Sequence, residues 1–353
     1  MKTLMPRAPV LPRTATQGSP KPVAPSNAAA SAPTGRAASN TVRAGAADQF
    51  AAPVPAATAV PGASAMGAAS VQVQLPDPAL MDAQASDGTG QYTEVRYDGP
   101  LFGLGGPSAS DIHQGVAGDC YFLSSLAALA QNEPKALKHL IYSNHDGTFT
   151  VIFHERDPST GNFKAVPVKV DGDLYTTTAS GPPPQRVLTY DSPSPKSWGD
   201  SVDTPSLWGP LLEKAYAQLK GNTFDGIGNG GWPADALEEL LGRPSQSVST
   251  TSSTPDQVWS FIQSAIDTHS PVCASTSCDP DQQDRYTNSG IVGEHAYTVM
   301  GYQLHDGERF VTLRNPWGNT EPTGNGADDG VFELPLSEFV KFYDQIDASP
   351  RRG

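Results

Sequence analysis

The chain has 353 residues and a formal net charge of −14, with 37% apolar residues and only 8% aromatic ones. That length supports one large domain or two lobes with real cores. The acidity argues against nucleic-acid binding, because it repels phosphates, and no stretch of the sequence approaches the roughly 18 apolar residues of a membrane span.

The charge is unevenly spread. Residues 1–47 carry six Lys/Arg and no acid, and the excess negative charge lies beyond residue 90. Residues 1–90 are rich in Ala, Pro, Ser, Thr and Gly, with Phe50 as their one aromatic. Such a composition buries too little apolar surface to offset the entropy of ordering. It predicts a disordered leader: a tail, a propeptide or a plain linker. No apolar run of signal-peptide length opens the chain, so the expected location is cytoplasmic, or secreted without a cleaved signal. Three cysteines, Cys120, Cys273 and Cys278, do not make a disulfide framework.

Downstream, Leu123, Leu126, Ala127 and Ala130 fall at helical spacing after Cys120. Phe149, Val151 and Phe153 alternate, a turn follows at Asp157–Asn162, and Ala165–Val170 completes a predicted hairpin. A Pro/Ser-rich loop is expected at about 180–204. The segment "SLWGPLLEKAYAQLKG" predicts a helix with Leu212, Ala215, Tyr216 and Leu219 on one stripe and Gly221 as its stop. The glycine-rich "GNTFDGIGNGG" reads as a lobe boundary. Short helices are expected at about 233–241 and from Pro255. Then "AYTVMGY" and "RFVTLRN" read as strands, "PVCAST" as a buried strand, and a last helix starts near Leu336, with Phe339, Phe342, Tyr343 and Ile346 on one face. The fold class is α+β, with a mostly helical first lobe and a second lobe mixing helices and strands.

Cys120 sits where a glycine-rich loop becomes an apolar helix. A helix N-terminus favours a thiolate and offers N–H groups to an oxyanion. Small neighbours Gly115, Ala117 and Gly118 leave the approach open. A buried structural thiol is the plain alternative. His295 heads one strand and Asn315 ends the next. They face each other if the turn centres on His305, whereas a two-residue Asp306–Gly307 turn places His295 opposite Gly318. Cysteine, histidine and asparagine together make a thiol hydrolase set: nucleophile, general base, and the group that fixes the base's tautomer. Gln114, six residues before Cys120, is placed to donate to an oxyanion, and Trp317 to shield the His–Asn bond. Cys273 and Cys278 give too few ligands for a zinc site.

At "DIHQGVAGDCYFLSSLAAL", "SLWGPLLEKAYAQLKGN", "EHAYTVMGY", "LRNPWGN" and "DDGVFELPLSEF" the chain resembles the calpain family of papain-like cysteine endopeptidases, over about residues 95–346. The resemblance implies a papain-like two-lobe fold behind a disordered N-terminal leader: leader 1–90, nucleophile lobe 91–228, and His/Asn lobe 229–346. It implies limited proteolysis of protein or peptide substrates through an acyl-enzyme, with Cys120 as nucleophile, His295 as base, Asn315 as orienting group, Gln114 as oxyanion donor and Trp317 in support. The leader is then a candidate substrate in cis. Tyr121 stands where the family usually has tryptophan. Glu294 precedes His295 where glycine is common, and a carboxylate there is expected to favour imidazolium. The resemblance also implies calcium, at a first site using Gly106 and Asp111 and at a weaker second one using Glu321 and Asp329, but no organic cofactor. Two other functions use the same residues: a catalytically weak binding scaffold, and acyl transfer to an amine.

Overall fold

The computed structural model describes residues 73–82, 92–97, 99–179, 185–191, 206–322 and 327–351. Its strands are β1 (Thr93–Arg96), β2 (Ile141–Ser143), β3 (Thr148–Arg156), β4 (Phe163–Asp171), β5 (Asp173–Ala179), β6 (Gln185–Leu188), β7 (Gln246–Ser249), β8 (Val272–Thr276), β9 (Ala296–His305), β10 (Glu308–Arg314), β11 (Val331–Pro335) and β12 (Tyr343–Ala348). The helices are α1 (Cys120–Asn132), α2 (Pro134–Leu140), α3 (Trp208–Leu219), α4 (Asp225–Gly228), α5 (Pro233–Leu241), α6 (Pro255–Asp267) and α7 (Leu336–Phe342). The strands form three antiparallel sheets, ordered β1-β5-β6, β2-β3-β4 and β11-β10-β9-β8-β12-β7.

Two hydrophobic cores result. One gathers α1, α3 and α5 with the two three-stranded sheets; the other lies between the six-stranded sheet and helices α6 and α7. Helix α1 joins them. Every residue from Cys120 to Ala130 is buried, and the helix packs on β8 and β9 as well as on α3 and α5. A helix enclosed on all sides must be apolar or satisfied throughout. Its two serines comply: Ser125 Oγ donates to Tyr121 O at 2.7 Å and Ser124 Oγ to the same carbonyl at 3.4 Å, while the Ser124 carbonyl accepts from Thr298 Oγ1 at 2.8 Å.

Most expected elements are present, with four corrections. The first half is not mainly helical, because β1–β6 make two sheets there. The expected loop at 180–204 contains β6, which extends the sheet of β5; residues 180–184 and 192–204 lie outside the described set. The last helix stops at Phe342, and Tyr343–Ala348 becomes β12, paired with both β8 and β7. A strand inserted between two others gains ladder bonds on both edges, which outweighs the helical spacing of Tyr343 and Ile346.

The fourth correction concerns the leader. Residues 73–82 belong to the 1–90 stretch read as disordered, but they pack onto the first core; residues 1–72 and 83–90 lie outside the described set. Lys214 is the reason. Its side chain is 3% exposed, and Nζ pairs with Asp77, with Asp171 Oδ1 at 2.7 Å and with Asp173 O at 2.7 Å. A buried ammonium needs such partners. Leu75 N donates to Asp171 Oδ2 at 2.6 Å, and Gln74 donates to Asp173. Met81 is 2% exposed, and its N–H donates to Tyr190 Oη. Deleting 1–82 is therefore expected to lower the melting midpoint by about 5 °C or more relative to a chain lacking only 1–72, since burial and an ion pair are lost together. Equal midpoints would show that the strap contributes nothing.

Candidate active site

Cys120 is the first residue of α1, following Asp119 as N-cap. The Asp119 carboxylate makes no cap bond; its carbonyl accepts from Phe122 N and Leu123 N at 2.8 and 3.1 Å. Cys120 is 5% exposed. Burial, with a smaller push from the Asp119 charge, outweighs the nearby backbone N–H groups of Ala296 and Tyr121 and takes the thiol up to about 12.

His295 is held at the head of β9 by two bonds to the end of β8. Its N–H donates to Thr276 Oγ1 and its carbonyl accepts from Thr276 N, both at 2.9 Å. Its Nε2 lies 2.9 Å from Asn315 Oδ1. The Asn315 amide is oriented by backbone: Oδ1 also accepts from Trp317 N at 3.1 Å, and Nδ2 donates to Thr320 O at 3.0 Å. An acceptor fixed in this way requires Nε2 to carry the proton, which leaves Nδ1 as the basic nitrogen. The Trp317 ring lies 4.8 Å from the His295 ring, centroid to centroid, so it covers the His–Asn pair.

The hairpin reaches this geometry by a route outside both expected registers. A two-residue turn at Asp306–Gly307, both at positive φ, opposes His305 to Glu308. A bulge at Met300 then shifts the register, so that Thr312 opposes Gly301 but Leu313 opposes Val299. Asn315 lies just past β10 and reaches His295 from the turn that Gly318 N closes on Asn315 O at 3.0 Å.

The carboxylate of Glu294 does not act on the imidazole as expected. Glu294 takes φ +53, and its charge acts on Cys278. Burial takes His295 down to about 4, against the lesser effect of its Asn315 bond. Among the described residues no hydrogen bond joins thiol and imidazole. Burial thus disfavours both charged forms, thiolate and imidazolium, in the substrate-free site. Alkylation of Cys120 by iodoacetamide in substrate-free protein is expected to climb steadily from pH 6 to 9, because thiolate forms only as pH nears the raised value. A plateau across that range would reveal an ion pair.

Gln114 is tied to the turn that follows β10. Its N–H donates to Pro316 O at 2.9 Å and its Nε2 to Ala117 O at 2.7 Å, leaving one amide hydrogen. Gly115 is small for a different reason from the one expected. A β-carbon there would come within 2.3 Å of Thr189 O and Tyr190 O, so its size serves close backbone packing. Tyr121 fills the space over Gly231, where a β-carbon would lie 2.6 Å from the ring, and its ring meets that of Tyr216 edge-on with centroids 6.3 Å apart.

The residues implied for calcium fit it poorly. Asp111 Oδ2 already accepts from Trp208 Nε1 at 2.8 Å and Ser108 N at 3.0 Å. A β-carbon at Gly106 would lie 2.9 Å from Lys138 Nζ, so a cation already adjoins that loop. Asp329 Oδ1 accepts from Val331 N at 3.0 Å, and Glu321 contributes one buried oxygen without a partner. Among the described residues the one group of three side chains close enough to share an ion is Asp77, Asp171 and Asp173, where the Lys214 ammonium already sits. Calcium takes 6–8 oxygens, and each implied site offers one or two carboxylates. Cys273 and Cys278 are free thiols.

The sequence reading passed over three buried charged residues beside the site: Asp191, Glu213 and Arg314. Arg314 Nη2 donates to Ile112 O at 2.7 Å. A signal existed: Glu213 and Lys214 interrupt an apolar helix, and Arg314 ends an apolar strand next to Asn315.

A sequence model of the calpain family cysteine protease matches residues 92–331. Calpain-13 of Rattus norvegicus is 32% identical over 239 residues, covering 67% of this chain and 33% of its own length. Calpain-8 of Mus musculus is 27% identical, covering 70% of this chain and 36% of its own length. The calpain-2 catalytic subunit of Homo sapiens is 26% identical, covering 72% and 37%. The chain thus spans about a third of the length of the curated relatives it matches. With more than half of its residues inside the family's sequence pattern, the chain belongs to the calpain family of cysteine proteases.

Proposed function

We propose that the protein is a cysteine endopeptidase that cuts flexible protein segments through an acyl-enzyme on Cys120, within a papain-like arrangement of a nucleophile lobe (91–228) and a His/Asn lobe (229–346). The observation that carries this reading is the His295 Nε2–Asn315 Oδ1 bond of 2.9 Å, oriented by backbone on both sides, beside a cysteine at a helix N-terminus. His295 Nδ1 takes the thiol proton and returns it to the leaving amine. Asn315 keeps the ring in the Nε2–H tautomer. The oxyanion of the tetrahedral intermediate is received by the Cys120 N–H and the remaining hydrogen on Gln114 Nε2.

With no substrate bound, burial opposes both the thiolate and the imidazolium. Bringing Nδ1 onto the sulfur lowers the thiol and raises the imidazole together, since each charged form becomes the other's counter-ion. Substrate binding must supply that approach. A leader cut N-terminal to residue 73 would leave the Lys214 strap intact.

Casein hydrolysis by wild type and by Cys120→Ser, each with calcium and with chelator, tests the reading. Cleavage by wild type alone supports it, and equal cleavage by both removes Cys120 as nucleophile. Loss of cleavage in chelator would require calcium ligands beyond the pairs described. The buried thiol favours a second reading, a binding scaffold, which inactivity of the wild type would support. Acyl transfer to an amine would show as amine incorporation.

A further inference from the structure

Beneath the nucleophile lies a buried acid cluster that the mechanism above does not use. Asp119, Asp191 and Glu213 are each at most 1% exposed. The carboxyls of Asp119 and Glu213 lie within hydrogen-bonding reach of one another. Both oxygens of Asp119, Oε1 of Glu213 and Oδ2 of Asp191 have no hydrogen-bond donor among the described residues. The other oxygens anchor backbone. Glu213 Oε2 accepts from Asp191 N at 2.7 Å, and Asp191 Oδ1 accepts from His113 N at 2.8 Å.

The charged and titratable groups facing this cluster are Arg314, Asp111, the Tyr190 and Tyr121 phenols and the Cys120 thiol itself. Arg314 is the one cation among them, and it is 2% exposed. Three buried carboxylates beside one cation cannot all ionise, and two adjoining carboxyl groups without other donors are satisfied by a proton between them. Burial raises all three acids: Asp119 to about 7, and Asp191 and Glu213 well above their ordinary values. Glu213 Oε2 is committed to Asp191 N, so the shared proton lies between Glu213 Oε1 and the Asp119 carboxyl.

We propose that protonated Glu213 is a positioning residue for the nucleophile: it donates a hydrogen bond to Asp119, which opens α1 at Cys120, and accepts from Asp191, which holds the loop leading to Gln114. One side chain on α3 thereby fixes both arms of the oxyanion pocket, the Cys120 turn directly and the Gln114 loop through Asp191 and His113. Arg314, reaching Ile112 O from β10, holds the same loop from the other core. This role rests on the reading of Cys120 as nucleophile.

The test compares Glu213→Gln with Glu213→Ala in the full chain, following kcat, KM and melting midpoint from pH 6 to 10. Glutamine reproduces a protonated glutamate: its amide donates to Asp119 and its oxygen accepts from Asp191. It is expected to keep kcat within about 3-fold of wild type, while alanine loses about 10²-fold in kcat at nearly constant KM, the scale of a small misplacement. The sign with pH follows from the raised carboxyls. Stability due to the shared proton is complete below the unfolded carboxylate range and is lost as pH rises through the raised values. Wild-type midpoint and kcat/KM therefore fall on the alkaline side, and Glu213→Gln moves that fall to higher pH. The proposal is overturned if Glu213→Gln loses as much as Glu213→Ala at every pH, if both match wild type, or if the alkaline fall in midpoint is unchanged by glutamine. The midpoint profile reads the shared proton even in a protein without peptidase activity. An inactive wild type, or an active Cys120→Ala, would count against the nucleophile reading instead.

Discussion

Cys120→Ala is expected to lower kcat/KM for casein cleavage by about 10⁴-fold or more, the loss that follows when the nucleophile of a cooperating set is removed. The melting midpoint should move little, because burial disfavours the thiolate and no side-chain partner depends on the thiol. The backbone of Ala296 and Tyr121 beside it keeps its place in β9 and α1 without the sulfur. Cys273→Ala works as a control. Cys273 is also buried and also pushed up to about 12, but it lies inside β8, with Ser125 Oγ 3.7 Å from its sulfur and no histidine among its partners. That variant is expected to cleave casein normally. Activity lost equally in both variants would trace the effect to packing around α1, not to chemistry.

Lys214→Met is expected to cost about 3–5 kcal/mol of stability, the usual penalty for removing one member of a buried charge set. Methionine keeps the bulk of the side chain but abandons Asp171, which is fully buried, and Asp77, 4% exposed. Arg96, 3.6 Å from Asp171 and 3.3 Å from Asp173, is left as the nearby cation. The strap 73–82 then loses its ionic anchor. Chemical denaturation measures the effect, and it should shrink when residues 1–82 are also removed, since one carboxylate then leaves with the strap. A loss below about 1 kcal/mol would place Lys214 with exposed pairs of little worth. Low pH gives an independent check: Asp77, held up near 6 chiefly by burial, gains its proton first on acidification, whereas Asp171 stays ionised below its ordinary range.

The placement of Cys120, His295 and Asn315 at element boundaries was legible in the sequence: a helix start, a strand head and a strand end. Periodicity fixes such boundaries well, as α1, α3, α6, β9 and β10 show. What bridged them was not legible. The register between β9 and β10 depends on a bulge at Met300, and no local residue type announces it. The bias against charge on the His–Cys pair depends on burial, which sequence adjacency cannot supply; Glu294 sits next to His295 in the chain, yet its charge acts on Cys278. The strap was hidden by composition. Residues 73–82 look like the rest of the leader, and only the demand of Lys214, more than 130 residues away, orders them. β12 was missed because its helical spacing was real, but the open edges of β7 and β8 decided its conformation.

The central claim is that Cys120 attacks under the control of His295. The most direct measurement is mass-spectrometric mapping of the adduct formed with a peptidyl epoxysuccinate, a reagent whose peptide portion occupies the cleft before the thiol reacts. A single adduct on Cys120, formed at least about 10²-fold more slowly in His295→Gln, is the predicted result. An adduct on Cys273 or Cys278, or an undiminished rate in His295→Gln, would contradict it.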